Sequence, residues 1–140
     1  MKRILAMVGF SIILLPTFLC GSAALSMAAE PLRIDVLYMN HGPLQPTLDQ
    51  MRATFGAYGN KIQVAWHDFE SEEGAAFMAR KGIKTHVPLE IWLDGKDTLM
   101  VGGQKVRFLG FPTGAGPRFF QGQWRLEDLD QAIGELTAGK

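Results

Sequence analysis

Two hydrophobic spacings alternate along the chain. Ile34-Asp35-Val36-Leu37-Tyr38-Met39 is short, rich in branched and aromatic residues and nearly continuous in apolarity, which predicts a strand buried on both faces. Asn40-His41-Gly42-Pro43 breaks that run, and Leu44, Leu48, Met51 and Phe55 then recur at helical spacing. Pro43 and Pro46 each suit a first-turn position, and Pro46 would kink a helix begun at Pro43, so its start stays open between them. Gly56 and Gly59 end it. Ile62-Gln63-Val64-Ala65-Trp66-His67 predicts a second strand, and strand, helix, strand with short links implies a right-handed parallel crossover.

Ser71 is placed to cap a second helix, with Glu72 and Glu73 at its positive end, Ala76, Phe77 and Arg80 along it, and Gly82 as a left-handed stop. After His86-Val87-Pro88, Leu89 to Leu93 predicts a strand closed by an Asp94-Gly95 turn. Lys105 to Leu109 alternates as its hairpin partner, and Thr98 to Val101 extends the hairpin through Gly102-Gly103. Gly110 to Gln123 is rich in glycine, proline and aromatics without a period, and reads as the longest loop. Leu126, Leu129, Ile133 and Leu136 mark a closing helix, with Glu127 and Asp128 in its first turn and Gly139 beyond its end.

The first residues have a different organisation. Lys2 and Arg3, an uncharged apolar run from Ile4 to Leu19 and small residues from Gly21 to Ala24 form the three-part layout of a secretory signal. Export to the periplasm or the outer face of the cytoplasmic membrane is expected, with residues 1–28 as the signal and cleavage after Ala28 or Ser26. Left uncleaved, the run to Ala29 is long enough to anchor the chain in a bilayer, although Pro16 weakens such a span. Cys20-Gly21-Ser22 resembles a lipidation site, but Leu19 is larger than the residue expected before such a cysteine.

The remaining residues, 29–140, suit one domain. Lysine plus arginine and aspartate plus glutamate both number 14, so no net field draws the chain to nucleic acid or anionic lipid. Membrane contact is expected only with the N-terminal segment retained. Cys20 is the single cysteine, so residues 29–140 must be held by an ordinary hydrophobic core.

The order strand, helix, strand, helix, strand, strand, helix resembles the thioredoxin-like fold, and two local sequences carry the likeness further. Asn40-His41-Gly42-Pro43-Leu44 resembles the Trp-Cys-Gly-Pro-Cys signature, with His41 and Leu44 at the two cysteine positions. Val87-Pro88 before Leu89 to Gly95 resembles the segment that enters the third core strand through a cis-proline, which makes Pro88 the candidate for that bond. The resemblance implies a three-layer α/β/α sandwich with a mixed four- to five-stranded sheet. It also sets Asp35 where thioredoxins keep a buried acid that assists cysteine deprotonation.

Without cysteine there is no thiolate to attack a disulfide, so dithiol exchange, thiol peroxidase chemistry and thiolate metal sites are not expected. No serine or threonine sits in a recognisable nucleophile setting, and the reading leans away from an enzyme. The degenerate active-site positions are His41, Gly42, Pro43, Leu44, His86, Val87 and Pro88.

His41, His67 and His86 fall near one end of the sheet with Met39. They serve either as turn and strand-end residues, with no cofactor, or, through His41 and His86, as ligands of copper or zinc. Trp66 and Trp92 belong to core strands, and Trp124 is freer. The loop bearing Pro112, Pro117, Phe119, Phe120 and Trp124 either exposes an apolar patch that binds another protein or folds back over the sheet edge. The leading expectation is a redox-inactive, exported accessory or protein-binding module whose partner is another exported or membrane protein. Alternatives are a histidine-based metal protein and a thiol-independent docking partner of a thiol oxidoreductase or its client.

Overall fold

The first predicted strand is the centre of the sheet. In the structure, a computed structural model that describes residues 29–139, β1 (Leu32–Tyr38) lies between β2 (Ile62–Asp68), which runs parallel, and β3 (Leu89–Leu93), which runs antiparallel. Val36 stands opposite Trp66 on one side and Ile91 on the other. The expected signal or anchor segment, and Cys20 within it, lie outside the described residues.

Side chains alternate across β1 as a pleated strand requires. Leu32, Ile34 and Val36 enter a cluster with Leu48, Met51 and Phe55 of α1 (Gln45–Gly56) and Leu129, Ala132 and Ile133 of α3 (Leu126–Ala138). Leu37 enters a second cluster with Trp92 and with Phe77 of α2 (Glu72–Lys81). Helices therefore cover both faces of a mixed sheet. Each fully buried leucine or isoleucine contributes about 1.5–3 kcal/mol relative to exposure, so the larger cluster carries most of the stability.

Both prolines before α1 find first-turn positions, because two helices share the segment. Pro43 opens a 3-10 turn, Gly42–Leu44, and Pro46 lies in the first turn of α1. α2 starts and stops on the residues its sequence marks: the Ser71 hydroxyl accepts from Gly74 N–H at 2.9 Å and donates to the Asp68 carbonyl at 2.8 Å, and Gly82 ends the helix at φ 70°. Gly74 also lies against the Asp68 carbonyl so closely that a Cβ there would collide with it. At α3 the Asp128 carboxylate accepts from Arg125 N–H at 2.7 Å.

Regular pairing does not make the expected four- to five-stranded sheet. It gives the three-stranded sheet and a separate hairpin of β4 (Thr98–Val101) with β5 (Gln104–Arg107). The reason is two tight turns in succession, Asp94-Gly95 and Gly102-Gly103, all four residues having positive φ as mirror-type hairpin turns require. The first returns the chain only to Lys96, and β4 then folds on β5 instead of on β3. The chain after β5 rejoins the sheet, where Ile91 N–H donates to Phe108 O at 3.0 Å and Gly110 N–H to Leu89 O at 2.8 Å.

The bond before Pro88 is trans, as are all peptide bonds among the described residues, and this corrects the cis-proline expectation. Trans is the ground state of an X–Pro bond by about 0.5–1 kcal/mol. In that form the Pro88 carbonyl already accepts from Met39 N–H, at 3.0 Å, so β3 is fastened to the end of β1 without isomerisation.

Candidate functional site

At the C-terminal end of β1 the chain must leave a buried strand and enter α1 within a few residues. His41 is extended, Pro43 sets the turn, and Leu44 drops into the core at 1 % exposure. Pro88 is held alongside by its bond from Met39. The long loop reaches the same place because Phe111 and Gln121 form a bridge: Phe111 N–H donates to Phe120 O at 2.8 Å, and Gly122 N–H to Phe111 O at 2.7 Å. These contacts close an apolar cleft of about 140 Å³ lined by Met39, His41, Pro43, Leu44, Pro88, Phe111, Pro117 and Phe120. The His41–Leu44 turn and the aromatic loop, separate in sequence, thus line one cleft.

The remaining predicted residues are placed differently. Gly42 is exposed beside the cleft. Val87 packs on the other face of the sheet, against the Leu37–Phe77–Trp92 cluster. In the loop, Phe119 is 82 % and Phe120 46 % exposed, whereas Trp124 is 1 % exposed and Pro112 is buried. Trp124 is therefore not the free aromatic that its loop setting suggests. Its indole N–H donates to Gly110 O at 3.1 Å and its ring meets Phe108 edge-on at 5.5 Å, so both its polar and its apolar needs are met inside.

The three histidines do not converge. His41 Nε2 lies 3.4 Å from Glu70 Oε1, both groups being exposed, and His86 packs on Phe69 with ring centres 4.5 Å apart. His67 is buried on the α2 face. Among the described residues no three or more histidine, cysteine, aspartate or glutamate side chains are grouped to hold a metal ion.

His67 belongs to a network that separate inspection of each residue misses. Its Nε2 lies 3.0 Å from Asp35 Oδ1, its Nδ1 lies 2.7 Å from Glu73 Oε1, and Phe77 stacks on the ring at 3.8 Å. Arg33 Nε approaches the second oxygen of Asp35 at 3.3 Å. The legible signal is register: Asp35 pairs with Ala65, so His67, two positions on, shares its face. Asp35 thus has polar partners of its own, Arg33 and His67, in place of the thiol that the resemblance would have it serve.

A second buried acid, Glu90, lies on the same face of the sheet as Trp92. Burial, aided by the charge of Asp97, pushes its carboxyl above the usual range against the opposing pull of Arg107, whose Nη2 is 3.5 Å away. Arg107 Nε in turn donates to Asp97 Oδ2 at 2.8 Å.

A wider groove of about 780 Å³ near the start of β1 includes Arg33, Arg80 and Lys81. It is far less convergent, since Arg33 is held by Asp35 and the Lys81 ammonium lies 5.0 Å from the Trp92 ring centre. The small cleft offers no cysteine, serine or threonine as a nucleophile. It offers apolar walls, one imidazole at the rim and an exposed phenylalanine next to it, which is the equipment for binding an apolar side chain. No helix among the described residues is long and apolar enough to cross a membrane. No protein-family model, curated protein or solved structure matches the chain.

Proposed function

We propose that this chain is an exported, redox-inactive thioredoxin-like module that binds another exported or membrane protein through the cleft at the end of β1. The observation that carries the reading is the meeting of the His41–Leu44 turn, Pro88 and Phe120 around one apolar space, with Phe119 exposed beside it. The thioredoxin-like part rests on the parallel β1-α1-β2 unit, on β3 antiparallel beside β1, and on α1 and α3 facing one cluster while α2 faces the other. Redox inactivity rests on the absence of cysteine after Cys20. Export rests on the layout of residues 1–28.

The cleft has room for one large apolar side chain, and the partner's anchor is read as such a group. The test is recovery of the C-terminally tagged full chain from its native host in mild detergent, with its companions identified by mass spectrometry. A stoichiometric complex is expected, lost with Phe120→Ser and kept with Met100→Ser, which alters an exposed apolar residue of β4 away from the cleft. A chain recovered alone overturns the proposal.

A further inference from the structure

The outer edge of β2 has no backbone partner among the described residues, and its hydrogen-bonding directions follow from the ladder. Phe69 N–H donates to Tyr38 O at 2.8 Å, so the odd-numbered residues Gln63, Ala65 and His67 direct their peptide groups toward β1. Those of Ile62, Val64 and Trp66 therefore face outward. Edge strands in natural proteins are usually blunted by charge, proline or a bulge. β2 carries charge only at its last residue, Asp68: Ile62 to His67 contains no lysine, arginine, aspartate, glutamate or proline, and the register with β1 runs without interruption.

We infer that β2 pairs antiparallel with β2 of a second copy about a two-fold axis through Ala65, joining the two sheets into one. The strand is self-complementary in that register. Val64 falls opposite the second copy's Trp66, and both are half-buried side chains on the α1 and α3 face that would lose further surface to water. Val64 and Trp66 are also the outward-facing residues, so each of the two symmetry-related pairs exchanges two backbone hydrogen bonds. Charge agrees with the direction. Lys61 precedes the strand and Asp68 and Glu70 follow it, so antiparallel pairing sets the positive end of one copy beside the negative end of the other, whereas parallel pairing would juxtapose like charges.

The register makes a sharp test, because Ala65 faces itself in a non-hydrogen-bonded pair. Cα atoms in such pairs are about 4.5 Å apart, within the span of a disulfide. In the full chain carrying Cys20→Ser, Ala65→Cys should form an intermolecular disulfide with oxidised glutathione at least about tenfold faster than Gln63→Cys, which would face His67. The parent chain should sediment as a dimer, and the melting of both cysteine variants checks that they are folded. A monomeric parent chain overturns the inference and leaves the edge to a foreign extended segment. Equal cross-linking of the two variants overturns it as well, by placing the copies in another register. Partner capture through the cleft does not depend on either result.

Discussion

His67 closes on Asp35 across two neighbouring strands, Nε2 to Oδ1 at 3.0 Å, with both side chains about 5 % exposed. Removing one partner leaves the other buried with fewer contacts, Arg33 remaining to Asp35 and Glu73 to His67, and losing a hydrogen bond to such a group costs about 1–3 kcal/mol. His67→Ala and Asp35→Ala should each lose that much in urea unfolding. The double change His67→Leu with Asp35→Leu should lose far less than the sum, because neither buried polar group is left facing an apolar replacement. Additive losses would show that the two residues are not coupled.

Trp124 and Phe119 are separated by five positions and should behave oppositely. Trp124→Ala empties a site against Phe108 and should cost about 3–5 kcal/mol. Phe119→Ser removes a solvated ring and should change stability by no more than about 0.5 kcal/mol. Thermal melting of the two variants checks the contrast. A strongly destabilised Phe119→Ser would place that ring in the core, contrary to its exposure.

Tyr58 ties the end of α1 to α3, its hydroxyl lying 2.8 Å from both the main-chain carbonyl and a carboxylate oxygen of Asp130. Burial, with the hydrogen bond and charge of Asp130 added, pushes its ionisation up to about 12. Because the folded value is raised above the ordinary one of 10.0, the phenol's contribution to stability is intact below pH 10 and disappears as pH rises toward 12. Tyr58→Phe should cost about 1 kcal/mol at neutral pH and abolish the latest step in the ultraviolet titration of tyrosine.

Glu90 has the same sign in another range. Its carboxyl is raised by burial, so the folded chain holds a proton that the unfolded chain has already released, and stability falls as pH rises from the ordinary carboxylate value through the raised one. Glu90→Gln should flatten that part of the profile. Melting temperatures recorded from pH 4 to pH 8 check it, and an unchanged slope would assign the pH dependence to other groups.

Local chemistry made some elements readable. Ser71 and Gly82 bracket α2 because a hydroxyl cap and a left-handed glycine act within one turn, and the apolar spacing of Leu48, Met51 and Phe55 places α1 against the sheet. What escaped the sequence depends on partners far along the chain. The burial of Trp124 is decided by Phe108 and Gly110, the meeting of Asp35 with His67 by strand register, and the junction of Phe120 with Pro43 by the Phe111–Gln121 bridge. Pro88 illustrates a third case, where a family likeness proposes an isomer that local sequence does not require. The missing fourth and fifth strands reflect geometry: consecutive tight turns close a hairpin on itself before the chain can return to β3.

The core described above is closed by carbon and hydrogen-bonded polar groups, with no sulfur–sulfur link anywhere after Cys20. Its folding is consequently indifferent to the redox poise of the compartment in which it occurs. The domain should reach the same state in a reducing cytosol as in an oxidising one, and keep it when excess dithiothreitol is added. A protein with that property can be retained beside disulfide-forming machinery without becoming its substrate.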